Sequence, residues 1–294
     1  MSFLTLCSMP YALCHNLLSA LWHIKRNTPF YLAAILIALA LKQHYSQARP
    51  ENLEWILNPT AGLVSLASGR RFTFEAGKGY VCDAAGVIIA PGCAGVNFML
   101  MAFGMAVFAG LHYMRNGRHR FAWLVASLTA SYGWTLGVNT LRILVSIQTF
   151  HMGIFGSGLK WEWVHRMEGV VIYFFFQYLF YSMIRKIIDR YSLAEPARRS
   201  GRRLGLSGRR IVFINAVLTG LTPCVWYLAI TLAVPFLNGA PRKTGGRFYD
   251  HAVIVLSLCL TTWMCIAFAK LCAQIMRLLF TGGDRKHEAQ NPDR

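Results

Sequence analysis

Long apolar runs, separated by short polar or basic segments, constrain this chain more than any other feature of its sequence. They cover about 29–45, 95–114, 121–153, 168–188, 211–237 and 251–280. About 20 apolar residues are enough to cross the hydrocarbon core of a bilayer as a helix. Because backbone groups in lipid must be paired within the segment, helices satisfy them and open sheets do not. We therefore expect an all-α polytopic membrane protein with about six to eight transmembrane helices.

The run that begins at Phe121 is too long for one simple crossing, since it continues to about Gly153. We expect one crossing that ends near Gly137, followed by a second helical piece that carries Asn139 and Arg142 near the outer face. The composition favours a membrane location, because only 14% of the residues are charged, whereas soluble domains carry about 25%.

Positive charge lies where cytoplasmic segments are expected. Lysine and arginine outnumber the acidic residues by 30 to 12, which gives a net charge of +18. Lys25 and Arg26 precede the first run, 115–120 is short and basic, and the densest basic run lies between 198 and 210. Because such segments stay inside, the amino terminus is predicted to be cytoplasmic, with membrane lipid as a partner of the basic run. A nucleic-acid partner would need a soluble basic face with interleaved aromatic residues, and the sequence has none.

These features divide the chain into four segments. Residues 1–28 are predicted to form an amino-terminal interfacial segment, and 29–190 a membrane core. A basic cytoplasmic linker is predicted at 191–210, and 211–294 are predicted to hold accessory transmembrane helices and a polar tail.

The polar stretch at 46–92 contains a hairpin pattern. Apolar and polar residues alternate at 71–75, glycines flank Lys78 at 77–79, and an apolar segment resumes at 80–82. This pattern is typical of two antiparallel strands joined by a tight turn. Acidic and basic residues balance within the stretch, which favours a small hairpin-containing loop on the extracytoplasmic side.

Cys93 lies at the outer mouth of the second predicted span, in Pro91-Gly92-Cys93-Ala94-Gly95. Proline and glycine favour a turn before it. If the chain is helical from Ala94 onward, the thiol lies at the positive end of a helix, where a thiolate is favoured. Cys82 lies eleven residues earlier in the same loop, and an oxidising exterior would favour a Cys82–Cys93 disulfide. The residues leave a nucleophile and a structural disulfide both open.

Arg142 is placed among Leu141, Ile143 and Leu144. A guanidinium at the centre of a membrane helix costs about 2.5–3.5 kcal/mol on insertion scales, and it cannot escape by deprotonation. Asn139, three residues earlier, shares its helix face and is a supporting candidate. Arg142 either extends to the lipid headgroups or stabilises negative charge that develops on a carbonyl oxygen.

His165 immediately precedes the next span and is a candidate general acid and base, since imidazole titrates near neutral pH. His151 is the competing candidate, and a lone interfacial histidine can also be simple packing. The histidines lack metal-ligand spacing, so we expect no metal site and no cofactor. Cys93, Arg142 and His165 are all predicted to face the same outer side of the membrane.

Taken in chain order, these motifs resemble the exosortase/archaeosortase family. The resemblance rests on Cys-Ala-Gly at 93–95, Asn-x-x-Arg at 139–142 and His-x-x-x-Gly at 165–169, and it covers about 29–190. It implies a membrane cysteine peptidase or transpeptidase, with Cys93 as nucleophile, Arg142 as oxyanion stabiliser and His165 as general acid/base. It also implies secreted protein substrates with a carboxyl-terminal sorting signal, made of a recognition motif, a hydrophobic helix and a basic tail. The active site would then lie on the outer face of the cytoplasmic membrane.

Two other functions fit the residues. In a non-enzymatic transporter or polysaccharide-export component, Arg142 would bind an anionic substrate and a Cys82–Cys93 disulfide would hold the outer loop. A membrane thiol oxidoreductase would need two exchanging cysteines, and the chain contains no Cys-x-x-Cys.

Overall fold

The computed structural model of the protein describes residues 27–152, 161–193, 223–233, 236 and 246–288. Several predicted features lie outside these residues. They are most of the interfacial segment at 1–28, most of the basic linker at 191–210, the first half of the predicted span at 211–237, and the end of the polar tail.

Seven helices and three short strands make up the described chain. The helices are α1 (27–47), α2 (Glu54–Ser68), α3 (Val96–Gly110), α4 (Gly117–His151), α5 (Trp161–Leu193), α6 (Pro223–Ala233) and α7 (Gly246–Glu288). The strands are β1 (Thr73–Glu75), β2 (Gly79–Cys82) and β3 (Val87–Ile89). Single 3₁₀ turns at Pro50–Leu53, Asp83–Ala85, Pro91–Cys93 and Leu111–Tyr113 connect them.

Three helical segments of the described residues are long and apolar enough to cross a membrane. They are Pro91–Tyr113, Val164–Arg190 and Phe248–Ala273, which overlap the predicted spans at 95–114, 168–188 and 251–280. The protein is therefore largely helical, with the helices of a membrane protein. The count of six to eight spans stays a prediction.

Helix α4 differs from its prediction. It is one continuous helix of 35 residues, whereas the sequence suggested a break near Gly137. An isolated glycine lowers helix stability by about 1 kcal/mol but does not end a helix, and no proline interrupts this segment. At 1.5 Å per residue the helix is about 52 Å long, which exceeds the hydrocarbon thickness of about 30 Å.

A buried row of polar side chains runs along α4. Ser131 and Thr135 are fully buried, and each donates a hydrogen bond to the backbone oxygen four residues earlier, at 2.6 and 2.7 Å. Because these hydroxyls are satisfied within their own helix, they can be buried at little cost. The row continues through Asn139, Arg142 and Ser146, all of which are also buried.

The predicted hairpin is present, and a third strand extends it. The sheet order is β1-β2-β3, and both pairs are antiparallel. Gly79 has a φ of +113°, and a Cβ there would overlap the backbone oxygen of Ile89. Strand β3 was missed because its residues, Val87, Ile88 and Ile89, are all apolar and do not alternate with polar residues. It leads directly to the Pro91–Cys93 turn.

The described chain divides into two compact units, Met1–Leu144 with Phe180–Glu195, and Val145–Leu179 with Pro196–Arg294. Helix α3 forms the centre of the first unit, where Phe103, Val107 and Leu111 pack with Ala34 of α1 and Leu124 of α4. In the second unit, the rings of Phe174 and Tyr227 meet edge to face at 5.9 Å.

The segment between α1 and the sheet is attached to α4 in the first unit. The Tyr132 hydroxyl donates to the Trp55 backbone oxygen at 2.7 Å, and the two rings stack at 5.9 Å. Helix α2, which carries Trp55, also contacts β2. These contacts attach α2 to α4 and the sheet to α2.

Candidate active site

Cys93 ends a single 3₁₀ turn that lies between β3 and α3. The turn is closed by bonds from the Cys93 amide to the Ala90 oxygen at 2.8 Å and from the Ala94 amide to the Pro91 oxygen at 3.0 Å. Gly95 then has a φ of +71°, a left-handed conformation that glycine adopts at little cost. Helix α3 begins only at Val96. A helix from Ala94 onward, the condition under which the thiol would lie at a helix amino terminus, is therefore not met.

Two side chains from other helices hold this turn. The Asn139 Nδ2 on α4 donates to the Cys93 backbone oxygen at 2.5 Å. The Tyr45 hydroxyl on α1 donates to the Pro91 backbone oxygen at 3.5 Å. Cys93 itself is half-buried and has a free thiol. Its backbone is therefore fixed from both sides, while the side chain remains accessible.

Asn139 also links Arg142 to this turn. Its Nη1 donates to the Asn139 Oδ1 at 3.4 Å, so one amide bonds the cysteine backbone through its nitrogen and the guanidinium through its oxygen. Arg142 is only 8% exposed, which does not fit an arginine that extends to lipid headgroups. The structure thus brings together three of the four candidate residues, Cys93, Asn139 and Arg142.

Sequence reasoning missed a second cation near this cluster. The Lys42 Nζ donates to the Asn97 Oδ1 at 2.6 Å and lies 5.6 Å from the centre of the Tyr45 ring. Tyr45 is also within electrostatic range of Cys93 and Arg142. Lys42 and Tyr45 are three residues apart on α1 and therefore share a helix face. A cation and a tyrosine on one face, near the end of a predicted span, could have indicated this pair from the sequence.

Cys82 does not form a disulfide with Cys93. It is the last residue of β2, is 3% exposed and has a free thiol. The predicted alternative of a Cys82–Cys93 bond was therefore wrong. Cys82 is a small buried side chain of a strand whose four residues are all buried, so its apolar packing accounts for its position.

His165, the fourth candidate, belongs to a second cluster, in the second compact unit. Its Nδ1 lies 2.7 Å from the Ser146 Oγ, and that hydroxyl donates to the Glu168 Oε2 at 3.1 Å. Ser146 is buried, and the other two side chains are half-buried. The competing His151 is exposed, with its ring 6.1 Å from that of Phe150.

Ser146 and Glu168 were also missed by sequence reasoning, although helix spacing could have indicated both. Ser146 follows Arg142 by four residues on α4, and Glu168 follows His165 by three on α5. Positions three or four apart share a helix face. Both polar residues were therefore on the faces already occupied by candidate residues.

Comparison of the chain with protein-family models, with curated proteins and with solved structures gives no match. Among the described residues, no group of three or more His, Cys, Asp or Glu side chains could hold a metal ion. The chemistry available is that of a thiol, a guanidinium and an imidazole, each with polar partners.

Proposed function

We propose that the protein is an exosortase-like membrane cysteine peptidase or transpeptidase. Its substrates would be secreted proteins with a carboxyl-terminal sorting signal, cut on the outer face of the cytoplasmic membrane. The observation that supports this most is the bond pair of Asn139, which joins the Cys93 backbone to the Arg142 guanidinium. Acyl transfer uses a nucleophile that attacks the carbonyl carbon and a fixed positive group that stabilises the oxyanion. Here the Asn139 side chain bonds the residues proposed for both roles.

In the proposed reaction, the Cys93 Sγ attacks the scissile carbonyl carbon after its proton passes to the His165 imidazole. The carbonyl oxygen becomes an oxyanion, which Arg142 stabilises by charge. As the C–N bond breaks, His165 gives its proton to the leaving amine, and a thioester remains on Cys93. An amine, a hydroxyl group or water then attacks the thioester and restores the thiol.

This reaction requires His165 to reach Cys93, which is part of the proposal. Support comes from the motifs, because the cysteine, arginine and histidine groups follow one another along the chain in the order of the family that they resemble. The roles divide as in other acyl-transfer triads, which are recognised by geometry rather than by fold.

The proposed substrate binds through its own hydrophobic helix beside the membrane helices, with its basic tail on the cytoplasmic side. This orientation places the recognition motif at the outer end of that helix, at the level proposed for Cys93.

The test is co-expression of the full-length chain with a candidate secreted protein that carries such a tail, followed by mass measurement of its new carboxyl end. The native chain should give one truncated species, and Cys93→Ala should give none while its level in the membrane is unchanged. Cys82→Ala is the matched control and should process the substrate normally. Full processing by Cys93→Ala would contradict the proposal.

A further inference from the structure

The hydrogen bonds around Ser146 restrict where the protons of its cluster can be. A serine hydroxyl carries one proton and two lone pairs. The hydroxyl of Ser146 contacts two groups, the Glu168 Oε2 at 3.1 Å and the His165 Nδ1 at 2.7 Å. A glutamate carboxylate can only accept. The single hydroxyl proton is therefore directed to Glu168, and the oxygen must accept from the histidine.

The histidine tautomer follows from this assignment. If the Ser146 oxygen accepts, then the His165 Nδ1 carries the proton. In a neutral imidazole the other nitrogen, Nε2, is then the unprotonated one. A hydrogen bond at one ring nitrogen sets the state of the other in the same way in other histidine sites.

We infer that Ser146 and Glu168 are positioning residues that fix His165 as the tautomer with a basic Nε2. Their relay runs from the His165 Nδ1–H to the Ser146 Oγ and from the Ser146 O–H to the Glu168 carboxylate. When Nε2 takes up a proton, the imidazolium formed is stabilised through the relay by the carboxylate charge. Applied to the proposed function, Nε2 is the atom that exchanges a proton with Cys93 and with the leaving amine.

The same geometry argues against Ser146 as a nucleophile. In a serine triad, the hydroxyl proton is directed to the histidine and the acid bonds the far ring nitrogen. Here the hydroxyl lies between the histidine and the acid, and its proton is directed to the acid. Ser146 is also buried. Ser146 is therefore placed to connect His165 to Glu168 and to orient the imidazole ring.

The inference is tested first by nitrogen NMR of the full-length chain in lipid nanodiscs, with ¹⁵N-labelled histidine. Subtraction of the His165→Gln spectrum isolates the His165 ring signals, and couplings to the ring carbon protons distinguish Nδ1 from Nε2. The proton should be on Nδ1 in the native chain. Ser146→Ala should move it toward Nε2, the tautomer that free histidine prefers in water.

Two further variants make this result specific. Ser146→Thr keeps the hydroxyl and should keep the native tautomer. Thr149→Ala removes a hydroxyl one turn away on the same helix, which donates to the Val145 backbone oxygen at 3.0 Å. This variant should leave the His165 signals unchanged. A proton on Nε2 in the native chain, or an unchanged tautomer in Ser146→Ala, would overturn the inference.

A second readout separates this inference from the proposed function on which its catalytic use rests. Cys93 is made the only cysteine by replacing the other seven of the eight, and its alkylation by iodoacetamide is timed at pH 7. If the proton of Cys93 passes to His165, both Ser146→Ala and Glu168→Ala should slow alkylation. The expected factor is roughly 10- to 100-fold, the size of the effect on affinity or activity when a metal-bound histidine loses its outer partner. A changed tautomer with unchanged alkylation would support the relay and contradict the pairing of Cys93 with His165.

Discussion

At the scale of single residues, the cysteine turn depends on one amide. Asn139 is fully buried, and its nitrogen and oxygen bond two different groups, the Cys93 backbone and the Arg142 guanidinium. The sequence indicated Asn139 as a helper of Arg142, because the two are three residues apart. It gave no sign of the bond to Cys93, which is 46 positions away and depends on how two helices pack.

Asn139→Ala should therefore disturb the nucleophile and the cation together. It frees the Cys93 carbonyl from a 2.5 Å bond, and such a bond contributes about 0.5–1.5 kcal/mol. It also removes a longer and weaker contact, at 3.4 Å, from a buried guanidinium. We expect processing of a tailed substrate to fall by about 10²-fold or more, measured as the initial rate at equal protein level.

Tyr45→Phe is the comparison for that variant. It removes the bond on the other side of the same turn, but that bond is 3.5 Å long and therefore weak. Its effect should be clearly smaller than that of Asn139→Ala. Equal losses in the two variants would show that Asn139 has no special part in holding the turn.

At the scale of elements, a glycine of α3 faces a tryptophan of α4. A Cβ at Gly110 would overlap the ring of Trp123, and that ring is held by a bond from its Nε1 to the Ala106 oxygen at 3.1 Å. Gly110→Ala should destabilise the protein by about 1–3 kcal/mol, as overpacking does in other cores. The measurement is thermal unfolding of the purified chain in detergent.

Gly137→Ala is the matched control for that substitution. A Cβ at Gly137 of α4 would meet nothing within 4 Å, and alanine is the better helix former. Its melting temperature should be equal to the native value or slightly higher. A fall as large as that of Gly110→Ala would mean that the contact with Trp123 is not the cause.

The hairpin turn is held by a carboxylate. The Gly77 amide donates to the Glu51 Oε1 at 2.6 Å, and backbone hydrogen bonds, first from Glu51 itself and then from Gly77, lower the pKa of Glu51 below its usual value. A lowered folded-state pKa contributes stability above the ordinary glutamate pKa of about 4.3, and this is lost as the pH falls through the folded value.

Exchange of the Gly77 amide with deuterium should follow that titration. After correction for intrinsic rates, protection should be constant at neutral pH and decrease below about pH 4.3. Mass spectrometry of a peptide that covers the turn would measure it. Glu51→Gln should abolish the pH dependence, and a decrease of the same size in that variant would assign the effect to another group.

Much of this element pattern could be predicted from the sequence, and the exceptions have physical reasons. The hairpin and three long apolar helices follow from alternation and length. Continuity of α4 was missed because the apolar run at 121–153 is too long for one simple crossing, which favoured two pieces. The structure instead has one helix of 35 residues. Helix spacing places Ser146 and Glu168 on the faces of the candidate residues. The bonds of the relay were missed because they join two helices, and the pattern of one helix does not show which partner on the next it bonds.

At the scale of the whole molecule, sidedness is the property on which the proposed function depends. The 46–92 loop and Cys93 are predicted to be outside, and Cys93 is half-buried whereas Cys82 is 3% exposed. In intact cells, a membrane-impermeant maleimide should therefore label Cys93 readily and Cys82 only after denaturation. Single-cysteine chains, analysed by mass shift, would measure both.

The outcome that contradicts this topology is labelling of Cys93 only after the membrane is opened. A chain with a single cysteine introduced at Asn116, in the short basic connector predicted to be cytoplasmic, is the control. It should show the opposite behaviour and react only in opened cells. If both positions react from the same side, then 95–114 does not cross the membrane.

The unbroken course of α4 also determines which changes to the gene the protein can accept. The side chains at 139, 142 and 146 share one face only because the helix between them is regular, with 3.6 residues per turn. One codon gained or lost between them would rotate everything downstream by about 100°. Point substitutions along this stretch do not rotate the helix. Sequence variation between 139 and 146 should therefore consist of substitutions, without insertions or deletions.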